Sequence, residues 1–193
     1  MRFGFDFDNT LVNYDVPATA WARAHDLNQV NSLDDLKTHF RRKGEYKLDW
    51  LNVQEWLYTE GIREALIEDG VIEVYGHLKK LRAEVFIVSH KTSFSVKSKL
   101  DLRTPANLWI DQVLRKVIDI PKNNIFFEET RNLKISRVAG LQITHFVDDL
   151  YEIFDDNSYP KGITNFLLTR NDTEKQTKKA IRIMNMNEII THV

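Results

Sequence analysis

Cysteine is absent from this 193-residue chain, which excludes disulfides, thiolate nucleophiles and cysteine-ligated zinc. Glycine is scarce. Its seven residues form neither a Gly-x-Gly-x-x-Gly motif nor a Walker-type loop, so two common glycine-rich phosphate cradles are excluded. An excess of one charge is missing too. With a net charge of −1, nothing argues for nucleic acid or an anionic membrane surface as a partner. No apolar run approaches the roughly 18 residues that a membrane-spanning helix needs. Met1 leads straight into an apolar stretch without a leader-like segment, so a cytoplasmic protein, monomer or homodimer, is expected. What is present suits a globular chain with a real core: 42% hydrophobic and 28% charged residues, at a length fitting one domain with a modest insertion.

Everything else is organised around the first ten residues. Arg2 to Phe5 is a short, mostly apolar run containing Gly4 and reads as a buried strand. It delivers two acids separated by one residue, Asp6 and Asp8, and then the hydroxyl of Thr10. Strands of open α/β sheets present functional groups at their carboxyl ends. Two acids there repel each other unless a cation or a shared proton joins them, and Mg²⁺ is a hard ion suited to oxygen ligands. A calcium loop would need Gly and Glu where Leu11 and Pro17 stand.

From about Tyr14 to Asp69 the chain shows no strand alternation and reads as three or four helices. The first spans Ala18 to His25 behind Pro17. A second opens at Ser32-Leu33-Asp34-Asp35, a capping box with Asp in place of Glu, and exits near Arg41 to Glu45. A third runs from Asp49 to Leu66, with Trp50, Val53, Trp56, Leu57, Ile62, Ala65 and Leu66 supplying apolar surface. Asp69-Gly70 marks a return, followed by a helix over Val71 to Leu81. Glu84 to Ser89 reads as a buried parallel strand ending in a hydroxyl, with His90 and Lys91 beyond it as possible substrate contacts. Lys97 to Val117 reads as helical but interrupted at Thr104-Pro105. Ile125 to Phe127 is a further strand, and a helix carrying Arg131 and Lys134 runs to a C-cap near Gly140. Ile143 to Val147 forms another strand and ends in Asp148 and Asp149. Ile163 to Thr169 is the fifth strand, and a helix or loop near Lys178 to Met184 closes the chain.

The Asp6-x-Asp8-x-Thr10 pattern resembles the first motif of the haloacid dehalogenase superfamily. Ser89 is similar to its second motif, Lys134 to its third (with Lys91 and Arg131 as substitutes), and Asp148-Asp149 to the paired-Asp form of its fourth. Their order along the chain carries the resemblance, which covers essentially everything outside residues 14–69. A response-regulator receiver would have its acid pair and its phosphoacceptor in a different order.

The resemblance implies an α/β fold: a Rossmann-like parallel sheet with helices on both faces, formed by residues 1–13 and 70–193, plus a small α-helical cap insertion at 14–69. It also implies that Asp6 is the nucleophile and Asp8 the general acid and base. Thr10, Ser89, Lys134 and the backbone at Phe7 would hold the phosphate. Mg²⁺ would be bound at Asp6, Asp8, Asp148 and Asp149. The activity implied is a Mg²⁺-dependent phosphatase acting on a small phosphorylated metabolite through an aspartyl phosphate. A phosphomutase or phosphotransferase of the same fold, or a non-catalytic regulatory module, would be the alternatives.

Overall fold

The computed structural model describes residues 1–42, 46–170 and 177–193. Strand β1 (Arg2–Phe5) is followed by the two-residue β2 (Val12–Asn13) and by three helices, α1 (Asp15–Ala24), α2 (Leu33–Arg42) and α3 (Tyr46–Thr59). β3 (Leu66–Ile67) then returns antiparallel to β2. After α4 (Val71–Lys80), strands and helices alternate: β4 (Glu84–His90), α5 (Arg103–Gln112), β5 (Ile125–Glu128), α6 (Arg131–Gly140), β6 (His145–Asp148), α7 (Tyr151–Asp155) and β7 (Thr164–Leu168). β8 (Ile181–Ile183) and a 3₁₀ helix over Met186–Thr191 finish the chain.

Six strands form one parallel sheet in the order β5-β4-β1-β6-β7-β8. The strand that carries Asp6 and Asp8 is therefore central, and the chain order turns around beside it. In open α/β sheets the crevice at such a point, outside the carboxyl ends of the strands, is where ligands bind.

Alternation along each strand divides the apolar residues between two layers. Phe3, Phe5, Val85, Ile87, Val147 and Phe166 face one side, packing with α4, α5 and the apolar residues of the insertion. Phe86, Val88, Phe146 and Leu167 face the other, packing with Ile135 and Val138 of α6 and Ile153 and Phe154 of α7. The core of the insertion is continuous with the first layer: Ala18, Leu36, Phe40, Val53 and Leu57 join it directly.

Gly4 sits on the second layer, and a Cβ there would lie 2.6 Å from Phe146 Cδ2. Gly4→Ala should therefore overpack a fully buried aromatic and lower stability by about 1–3 kcal/mol. Urea unfolding measures this, and unchanged stability would mean that Phe146 has room to shift.

Several elements differ from the sequence reading. α1 starts at Asp15 rather than Ala18, because Pro17 lies within the first turn, where no intrahelical N–H bond is due. Thr104-Pro105 likewise stands in the first turn of α5 and does not interrupt it. At α2 only half of the capping box forms. Asp35 N–H donates to Ser32 Oγ (3.0 Å), but the Asp35 carboxylate accepts from Asn31 N–H (3.0 Å) rather than from Ser32. α3 ends at Thr59, and Leu66 belongs to β3 with its side chain exposed.

Gly140 does not cap α6. Leu141 follows it, and Gln142 takes the left-handed conformation (φ 52°). The stretch near Lys178 to Met184 contains the sixth parallel strand, β8, too short to show an alternation. The expected exit of α2 at Arg41 to Glu45 lies partly outside the described residues. No helix among the described residues is long and apolar enough to cross a membrane.

Candidate active site

The ladder between β1 and β6 continues one step past β1, where Asp6 N–H donates to Val147 O at 2.9 Å. This fixes the backbone from which the Asp6 carboxylate departs. Asn9 then takes a left-handed conformation (φ 60°), and Leu11 N–H and Val12 N–H both donate to Phe7 O (3.0 and 3.1 Å). The chain thus turns tightly around Phe7. Its ring is fully buried against Trp109 and Phe127, so any role of Phe7 at the site falls to its backbone. Thr10 is also fully buried, and its Oγ1 has no hydrogen-bond partner among the described residues.

Lys134, on the first turn and a half of α6, lies between two acids. Its Nζ is 2.6 Å from Asp6 Oδ1 and 2.6 Å from Asp148 Oδ2, and all three residues are nearly or fully buried. Thr130 starts that helix by accepting Leu133 N–H at 3.2 Å, which aims the buried face of α6 at the sheet. Arg131, one turn before Lys134, is exposed and stands at the rim of the cleft. Asp148 Oδ1 is held by Leu150 N–H at 3.0 Å. Asp6, Asp148 and Asp149 each offer an oxygen within 4.8 Å of the others.

Burial dominates the electrostatics. It pushes the Asp6 carboxyl up to about 6, with Lys134 pulling down and the charges of Asp148 and Asp8 pushing up. Asp149 is raised by burial and by the charges of Asp148 and Asp6. Burial alone would lower Lys134, but Asp148 and Asp6 outweigh it and hold the ammonium charged. Three oxygen donors with excess negative charge fit a hard divalent cation.

Ser89 ends the buried part of β4, 1% exposed, and lines a cleft of about 380 Å³ together with Asp6, Asp8, His90, Lys91 and Lys134. The opposite wall comes from the insertion: Lys37 and Arg41 of α2 and Trp50, Gln54, Glu55 and Tyr58 of α3. Two legs join the insertion to the sheet, and Arg170 after β7 grips both, pairing with Glu68 on one and with Asp15 on the other (3.6 Å).

Solved structures share this architecture. A HAD-family hydrolase from Deinococcus radiodurans, with bound phosphate and sodium, aligns with a TM-score of 0.54 at 14% identity over 86% of this chain and 80% of that one. A family IA HAD hydrolase from Entamoeba histolytica gives 0.54 at 16% identity over 97% and 94%. A subfamily IA HAD-superfamily hydrolase from Geobacter sulfurreducens gives 0.53 at 15% identity over 100% and 98%. The chain has the haloacid dehalogenase fold. No family model and no curated protein matches its sequence.

Within this haloacid dehalogenase fold, Asp6, Ser89, Lys134, Asp148 and Asp149 lie together at the carboxyl end of the sheet. Lys91 does not substitute for Lys134. It is 3% exposed and pairs with Asp8 (2.8 and 3.0 Å). Sequence reasoning missed Tyr14, whose hydroxyl donates to Asp8 Oδ1 at 2.6 Å, and Tyr58, whose ring centre lies 4.0 Å from Lys91 Nζ. A signal for Lys91 was available in strand alternation. It follows Ser89 by two residues, its N–H still pairs with Glu128 O (2.9 Å), and it therefore shares the side of Ser89.

Proposed function

We propose that this protein is a Mg²⁺-dependent phosphatase that hydrolyses a small phosphorylated metabolite through an aspartyl phosphate on Asp6. One observation carries the reading: a buried ammonium, Lys134, is shared at 2.6 Å by Asp6 and Asp148, with Asp149 alongside, at the carboxyl end of the central strand. A carboxylate so placed is a nucleophile whose charge, and the charge of an arriving phosphate, are both partly offset.

Asp6 attacks phosphorus in line with the leaving oxygen. Ser89 and Lys134 neutralise the equatorial oxygens, since such transfers depend mainly on positioning and charge compensation. Asp8 protonates the leaving group and later takes a proton from the water that cleaves the intermediate. Asp6, Asp148 and Asp149, with the backbone of Asp8, are the residues that would hold Mg²⁺, which would supply further charge neutralisation at the phosphate. Residues 14–69 act as a cap over a core of 1–13 and 70–193. Trp50 and Tyr58 of α3 face the cleft and can select the leaving group, while closure excludes water. The phosphate reported with the Deinococcus radiodurans hydrolase is consistent with a phosphoryl substrate.

A screen of phosphorylated metabolites for released phosphate tests this reading. Release is expected from at least one, to vanish on exhaustive chelation and return with Mg²⁺. Full activity after chelation would remove the metal from the mechanism, and release from no ester would overturn the phosphatase reading.

A further inference from the structure

The two acids after β1 are each served by a lysine of their own. Lys134 takes Asp6, and Lys91 takes Asp8. The second pair is a built arrangement. Lys91 is held at its backbone by Glu128 O, which accepts its N–H at 2.9 Å, and by Arg103, whose Nε donates to Lys91 O at 2.9 Å. Arg103 is in turn anchored to Glu129 at 2.7 Å. The Lys91 ammonium lies over the Tyr58 ring at 4.0 Å, a contact that favours a desolvated cation.

The two oxygens of Asp8 are not equivalent. Oδ1 accepts from Tyr14 Oη (2.6 Å) and from Lys91 Nζ (3.0 Å), whereas Oδ2 accepts from Lys91 alone (2.8 Å) among the described residues. Each carboxylate oxygen has about two lone-pair positions. Oδ1 is therefore filled, and Oδ2 keeps one position open.

We infer that Lys91, with Tyr14, is a positioning residue that fixes Asp8 so that Oδ2 is the oxygen handling the proton, which equips the site for phosphate esters of alcohols. Such leaving groups depart as unstable alkoxides unless they are protonated. This rests on the phosphatase reading above. In the first step an Asp6 oxygen bonds to phosphorus, the bond from phosphorus to the leaving oxygen breaks, and that oxygen takes the proton from Asp8 Oδ2. In the second, water oxygen bonds to phosphorus, its proton passes to Oδ2, and the Asp6–phosphorus bond breaks. An Asp8 free to rotate would miss the leaving oxygen, a defect that matters only where the proton is needed.

The test compares glycerol phosphate, an alkyl ester, with 4-nitrophenyl phosphate, whose leaving group departs as a stable anion. The full-length wild type and its Lys91→Met, Lys91→Arg and Tyr14→Phe variants are assayed with Mg²⁺. Lys91→Met should lower kcat on the alkyl ester by roughly 10²–10³ and on the aryl ester by less than about tenfold, given the usual contribution of acid–base catalysis. Lys91→Arg should recover most of the alkyl activity, and Tyr14→Phe should show the same bias more weakly.

Equal losses on both esters in a variant that melts like the wild type would reduce Lys91 to a structural role and overturn the inference. If Lys91→Met does not fold, Tyr14→Phe decides in the same way. A wild type active on the aryl ester alone overturns the inference but leaves the phosphatase reading standing. Activity on no phosphate ester overturns both.

Discussion

If Asp6 is the nucleophile, as proposed, Asp6→Asn protein is expected to form no phosphoenzyme and its turnover to fall on the order of 10⁴-fold or more, as loss of the attacking group does in other covalent enzymes. The amide keeps the shape of the carboxylate but has no anionic oxygen to offer phosphorus. The variant should fold. Burial and the charges of Asp148 and Asp8 raise the Asp6 carboxyl from 3.8 to about 6. For an acid raised in this way, the cost to the folded state is absent below 3.8, grows as pH rises and is complete above about 6. At neutral pH the metal-free Asn variant should therefore melt at or above the wild-type temperature, a trade of stability for function. Acid-quenched reactions with labelled substrate provide the measurement. Label on the Asp6→Asn chain would show that another residue is the nucleophile.

Lys134→Met should have the largest effect on stability. It leaves Asp6 and Asp148 buried and facing each other without the ammonium now 2.6 Å from each. Removing one partner of a buried ion pair costs about 3–5 kcal/mol, or roughly 10 °C in melting temperature for a chain of this size. Because the missing charge is positive and the remaining donors are oxygens, Mg²⁺ should stabilise the variant more than it stabilises the wild type. Thermal unfolding with and without Mg²⁺ checks both statements. An equal Mg²⁺ increment in the two proteins would mean that Lys134 and the cation do not share the same acids.

The part of this site that was legible in the sequence is the part written as short apolar runs with polar ends. Asp6, Ser89 and Asp148 each end such a run, and a parallel sheet brings those ends to one edge. Lys134 was legible because the helix beginning at Thr130 follows a strand directly. The partner of Lys91 was not. Naming Asp8 requires knowing that β4 lies beside β1, and strand order is set by how the helices cover the two faces rather than by any local pattern. Tyr14 was hidden for a related reason. It lies ahead of the helix read from Ala18, and its hydroxyl reaches Asp8 only because the chain turns tightly around Phe7.

β8 escaped because Ile181-Arg182-Ile183 is too short for alternation to show. The apparent break at Thr104-Pro105 was misplaced because proline resembles an interruption wherever the start of a helix is not known. Asp148 illustrates the converse. It directly follows the apolar Phe146-Val147, so its place at the carboxyl end of a strand could be read without tertiary knowledge.

The central position of β1 also shapes how the molecule comes together. Asp8 meets Lys91 across a separation of 83 residues, and Asp6 meets Lys134 across 128. Neither flank of β1 is paired until β4 and β6 exist, so its apolar residues wait while the rest of the chain is made. Topologies dominated by such distant pairings fold slowly. The helices of the insertion, whose contacts are more local, can form first and shelter that strand. Assembly of the acidic cluster thus waits on the late strands, and any nascent chain stopped short of Asp148 lacks two of the three acids that gather there.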